Sequence, residues 1–280
     1  MGETMITNNV YREIGGISGK NRELLNIVYK SAKGPFDTEF VANALNIKKL
    51  RAKNLISFWV KRNWLTRIKK GLYSIIPLGG MRPDAGREDP WIIAQAVFSP
   101  CYIGGWSAGE YWGMTEQIFN DVIVYTTKHV DINQKEIQGT KYLFKFIRKD
   151  KYFGLRSVWR GQIKVMVSDP SRTIIDLLND PKSGGGIRNA VLMIREYFGN
   201  KERNDRLLIE YLSKFGNRAI YKRLGYILEI CKIDARDILK ICAKNQSSGY
   251  SKLDPELAGK GRMLRRWNLI INASLRGAVE

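Results

Sequence analysis

Apolar residues recur every three or four positions over the first third of the chain and every second position over much of its middle. From Asn21 to Lys33, Leu24, Leu25, Val28 and Tyr29 share a helical face, and Gly34-Pro35 ends the run. Asp37 or Thr38 can accept the free N–H groups that open a second helix, with Phe40, Val41 and Leu45 inward. Asn46-Ile47 makes a turn. A third helix, Lys48 to Arg62, lines up Ala52, Leu55, Ile56, Trp59 and Val60 on one stripe, with Leu50, Lys53, Asn54, Ser57 and Lys61 opposite. Trp64 to Ile68 and Leu72 to Ile76 then flank a Lys69-Lys70-Gly71 turn, and Pro77 closes the second run, which predicts a hairpin.

Three short helices followed by a hairpin is the order of a winged helix-turn-helix, in which the third helix enters the major groove of DNA and the hairpin lies along the backbone. Further on, Pro90 to Phe98 reads as a short helix, and Ser107 is placed to cap another over Ala108 to Gly113. Period-two alternation then predicts strands at Asp121 to Thr127, Tyr142 to Ile147 and Ile163 to Val167. Asp169-Pro170 opens a helix with Ile174, Ile175, Leu177 and Leu178 inward. Beyond it, Val191 to Phe198, Leu207 to Phe215 and Leu224 to Cys231 keep helical spacing. The expected class is α+β: a flexible tail (1–20), a winged helix-turn-helix (21–78), a mixed α/β domain (79–180) and a mainly helical region (181–280).

Charge sharpens this outline. The 280 residues carry 47 Lys and Arg against 27 Asp and Glu, a net +20. Divided along the chain, the excess is +9 over residues 1–80, +1 over 81–180 and +10 over 181–280. No acidic residue lies between Glu39 and Asp84, the window that holds Lys48, Lys49, Arg51, Lys53, Lys61, Arg62, Arg67, Lys69 and Lys70. Such a block attracts polyanions by releasing their condensed counterions. With Asn54 and Ser57 on the same helix, these eleven residues form a candidate surface for double-stranded DNA. Lys and Arg on phosphates would set the register, while Asn54 suits an adenine edge and Lys53 a guanine. Lys222, Arg223, Arg262, Arg265 and Arg266 make a second candidate basic surface, with scattered solvated charge as the alternative.

Catalytic chemistry is poorly represented. Gly105-Trp106-Ser107-Ala108-Gly109 matches the turn that exposes a hydrolase serine, with Asp121 and His129 following in the order acid, histidine. All three lie within 23 positions, and the alternating strand-helix units of that fold are absent. Ser183-Gly184-Gly185-Gly186 precedes a helix but lacks the Gly-Lys-Ser/Thr of a phosphate loop, so a flexible connection is expected. Three dispersed cysteines and one histidine give no zinc spacing. No enzymatic activity, cofactor, metal or small-molecule substrate is expected. No apolar run approaches the roughly 18 residues of a membrane span, and the N-terminal residues lack a signal pattern, so a cytoplasmic protein without membrane contact is expected.

Four stretches resemble the AbiEi-type antitoxins and transcriptional regulators of type IV, or abortive-infection, toxin-antitoxin systems. They are Leu55-Ile56-Ser57-Phe58-Trp59-Val60-Lys61-Arg62-Asn63-Trp64-Leu65 with Arg67 to Tyr73, and Tyr102-Ile103-Gly104-Gly105-Trp106-Ser107-Ala108 with Tyr125-Thr126-Thr127. The others are Val167 to Leu178 continuing to Gly185-Gly186-Ile187, and Tyr250, Leu253-Asp254-Pro255 and Arg266 to Asn272. One departure is Asn63, where the family commonly has glycine; asparagine tolerates the left-handed backbone that such a turn needs. The resemblance implies a winged helix that binds inverted repeats in the promoter of its own operon. It also implies a C-terminal antitoxin region that counteracts a nucleotidyltransferase-like toxin without a stable complex. A protein-interaction module, or a stand-alone regulator without a toxin, is the alternative.

Overall fold

Local capping decides where the first helices begin. The computed structural model describes residues 18–76, 87–130 and 132–279; most of the expected tail, Pro77 and the expected boundary at 78/79 lie outside the described residues. The chain forms two compact units, Met1–Asp89 and Pro90–Glu280. In the first, α1 (Gly19–Ser31), α2 (Thr38–Ala44) and α3 (Lys49–Lys61) precede β1 (Leu65–Lys69) and β2 (Leu72–Ile75). Of the two candidate caps for α2, Asp37 takes the role: its carboxylate accepts the Phe40 N–H at 2.8 Å. Leu25, Val28, Val41, Ala42, Ala52, Ile56, Trp59, Trp64 and Leu65 close into one core, with α3 contributing the stripe that its sequence period predicts.

Two left-handed asparagines set the path of the chain around α3. Asn46 (φ 50°) turns α2 into α3, and Asn63 (φ 56°) follows the end of α3. At Asn63 the Trp64 N–H returns to the Trp59 carbonyl at 2.9 Å, which stops the helix and delivers Trp64 into the core. Strands β1 and β2 then pair antiparallel, with a bulge between Arg67 and Lys69. A further pairing was not legible in the alternation: Phe36, between α1 and α2, exchanges both backbone hydrogen bonds with Tyr73 of β2, at 2.9 and 2.8 Å.

The second unit opens with α4 (Pro90–Phe98), β3 (Cys101–Ile103), α5 (Gly105–Tyr111), β4 (Val122–Thr126), β5 (Gln134–Ile137), β6 (Thr140–Phe146), β7 (Leu155–Arg160) and β8 (Ile163–Ser168). Its sheet runs β5-β6-β4-β3-β8-β7, with β4/β6 and β3/β8 parallel and the other pairs antiparallel. Helices α6 (Pro170–Asn179), α7 (Ile187–Gly199), α8 (Asp205–Phe215), α9 (Arg218–Ile230) and α10 (Arg236–Asn245) follow. Three short strands, β9 (Ser251–Lys252), β10 (Arg262–Leu264) and β11 (Leu269–Ile271), form a small separate sheet in the stretch expected to be mainly helical. The protein is therefore α+β. Helix α6 shares one core with α7, α8, α9 and α10, so the chain on either side of residue 181 belongs to the same unit. Among the described residues no helix is long and apolar enough to cross a membrane.

Helix α6 is buried from Pro170 to Leu178, charged residues included. Asp169 caps it by accepting the Arg172 N–H at 2.8 Å and also accepts the Tyr211 hydroxyl at 2.8 Å. The Arg172 guanidinium, 0% exposed, donates to Asp176 (3.0 Å), Tyr102 (2.9 Å) and the carbonyls of Lys151 (2.7 Å) and Phe153 (3.1 Å). The Tyr102 hydroxyl donates in turn to Asp176 at 3.1 Å. Burial works against the arginine's charge, and the Asp176 carboxylate outweighs it, so the guanidinium stays above its ordinary range. Burial pushes the Asp176 carboxyl up despite that partner.

Candidate functional site

The exposed side of α3 begins with an electrostatic mismatch. A helix N-terminus carries partial positive charge and favours acids, yet the first turn of α3 has none, and Lys48, its N-cap, makes no side-chain capping bond. Lys48, Lys49 and Arg51 crowd this end, and all three are exposed. Of these three, Lys49 forms an ion pair with Glu39 of α2, at 2.5 Å. That hydrogen bond, and then the Glu39 charge, raises the Lys49 ammonium above its ordinary range. The free N–H groups and the cations beside them make a place where an external anion lowers the energy of the helix.

The face continues along α3 through Lys53, Asn54, Ser57, Lys61 and Arg62, all exposed. The inward stripe of Ala52, Ile56 and Trp59 fixes that orientation, because rotating the helix would expose the tryptophan. In the hairpin, Leu65 and Ile68 are buried while Arg67, Lys69 and Lys70 are exposed, the bulge re-aiming the strand between Arg67 and Lys69. Gly71 (φ 80°) supplies the left-handed residue of the turn. The eleven sequence-derived positions are thus all on the surface of one unit, held by one helix and one hairpin.

The second basic group does not assemble. Lys222 and Arg223 lie on the core side of α9, at 0% and 5% exposure, whereas Arg262, Arg265 and Arg266 are exposed. Lys222 donates to the Gly249 carbonyl and to Ser251; burial, and then the neighbouring Arg223, lowers its ammonium below the ordinary range. Arg223 donates to the Leu178 carbonyl at 2.6 Å and to the Lys252 carbonyl at 3.1 Å, tying α6 to β9. Their cationic heads therefore satisfy backbone carbonyls inside the unit. Arg266 is paired with Glu229.

Ser107 is not a helix cap. It sits inside α5, buried, and its hydroxyl accepts the Ile123 N–H of β4 at 3.1 Å; Gly104 occupies the N-cap position. The glycine loop is also committed: the N–H of Ile187, the first residue of α7, donates to the Asp254 carboxylate at 3.2 Å, so the protein supplies its own anion there. Sequence reasoning missed a cleft of about 750 Å³ in the second unit, lined by Trp106, Tyr125, Leu143, Lys145, Asp180 and Glu256 among others. Lys145 and Asp180 form an ion pair in it at 2.5 Å, joining β6 to the end of α6, and Lys182 pairs with Glu256 at 2.9 Å. Pairing across elements leaves no periodic signal, which is why the cleft was not legible. Among the described residues no cluster of three or more His, Cys, Asp or Glu is placed to hold a metal. No protein-family model matches the sequence, and no curated protein matches it either.

Proposed function

We propose that this protein is a DNA-binding transcriptional autorepressor and antitoxin of a type IV, abortive-infection operon, with its first unit acting as a winged helix-turn-helix. The observation that carries the DNA part is the continuous acid-free set of exposed residues on α3 and the hairpin, from Lys48 to Lys70. In this reading α3 enters the major groove, Asn54 and Lys53 meet base edges, and Lys69 and Lys70 follow the phosphates. The antitoxin part rests on the resemblance of the stretches around Tyr102, Asp169 and Trp267 to AbiEi-type antitoxins. It carries with it a nucleotidyltransferase-like toxin as functional partner, a cytoplasmic location and no catalytic role.

The test is binding of the full chain to duplex DNA from its own upstream region across a salt series. Counterion release gives a log-log slope of about −0.9 per phosphate neutralised. Binding that ignores salt, or is absent at low salt, would sink the proposal. The alternative reading is a protein-interaction module; a stable stoichiometric complex with the neighbouring gene product would support it over the antitoxin reading.

A further inference from the structure

Leu50 interrupts the chemistry of the outward face of α3. It is 71% exposed, at the second position of the helix, with Lys49, Arg51 and Lys53 around it. A lone exposed leucine is ordinary on a protein surface. This one is set among cations that draw phosphates close, in line with the polar Lys53, Asn54, Ser57 and Lys61, whereas Phe58, the other exposed apolar side chain of the helix, packs against Trp64 and Arg62. It has no place in the core, because α3 already buries Ala52, Ile56 and Trp59 on its opposite side. The partner that fits is anionic along its rails and apolar at a point between them. The DNA major groove has this pattern, since phosphates border it and the thymine C5-methyl is the apolar group on its floor. Residues in the first turn of a groove-bound helix are the ones that reach base edges.

We infer that Leu50 is a specificity residue that packs on a thymine methyl in the preferred duplex; the inference rests on the DNA-binding reading above. The experiment uses the full chain and a duplex selected from a random library, with each thymine replaced in turn by deoxyuridine, which removes only the methyl. One replacement should weaken wild-type binding about fourfold, the ratio for one methyl-sized group leaving water. Leu50→Ala should bind the thymine duplex about fourfold more weakly, show no response to that replacement, and keep the wild-type salt slope, because the same phosphates stay neutralised. If the wild type prefers the duplex yet tolerates every deoxyuridine, or if Leu50→Ala responds as the wild type does, the inference falls and DNA binding stands. If no duplex is bound with salt dependence, both fall.

Discussion

Arg172 and Asp176 show what a single buried charge does when every atom has a partner. Taking an ion pair out of water is costly, and here the surrounding groups are two carbonyls, the Tyr102 hydroxyl and the rings of Phe153 and Phe215 at 4.6 and 5.1 Å. Arg172→Met leaves Asp176 buried and uncompensated and is expected to destabilise by about 3–5 kcal/mol, read from urea unfolding; adding Asp176→Asn should recover part of the loss. Burial also acts on the thiols, raising Cys101 to about 11 and Cys242 to about 12. Because the folded values lie above those of the unfolded chain, their stabilising contribution is complete below about pH 8.5 and is lost as pH rises through 11 and 12. The urea midpoint should accordingly fall between about pH 8 and pH 10.5, and Cys101→Ala with Cys242→Ala should flatten that decline. The arginine and aspartate are four apart in the sequence, a spacing that marks a pair, but nothing in it distinguishes a buried pair from a solvated one.

At the scale of elements, α3 and its flanks were legible because three local signals agree: apolar period, turn residues and the absence of acids. Asn63 adds a fourth, and its φ of 56° gives the test. Asn63→Gly should be close to neutral, whereas Asn63→Ala should cost about 1 kcal/mol in a thermal melt, since alanine resists the left-handed region. Strands β3 and β7 were harder to read, three residues long in one case and half-exposed in the other, and β5 is polar over Gln134, Lys135 and Glu136. Pairing with a neighbour made these strands, and pairing has no signature along a single chain. For the hairpin turn, Lys69→Ala with Lys70→Ala should weaken binding to all duplexes about equally and make the salt slope shallower by about one unit for each phosphate no longer neutralised. A slope equal to the wild type's would remove the turn from the interface.

Over the whole molecule, the net charge of +20 separates into parts with different uses. The share carried by α3 and the hairpin is exposed, and Lys49 spends part of it on Glu39. Part of the C-terminal +10 is structural: Lys222 and Arg223 hold backbone carbonyls, and Arg195 donates to the Ala278 carbonyl at 2.8 Å. Sequence counts treat these cations alike, and only burial separates them. The central claim is that the exposed share meets DNA, and the most direct measurement is the affinity of the full chain for upstream duplex DNA between about 50 and 200 mM salt. With about six or more phosphates engaged, affinity should drop by about three orders of magnitude or more across that range. An affinity unchanged by salt, or no binding at the low-salt end, would contradict the claim.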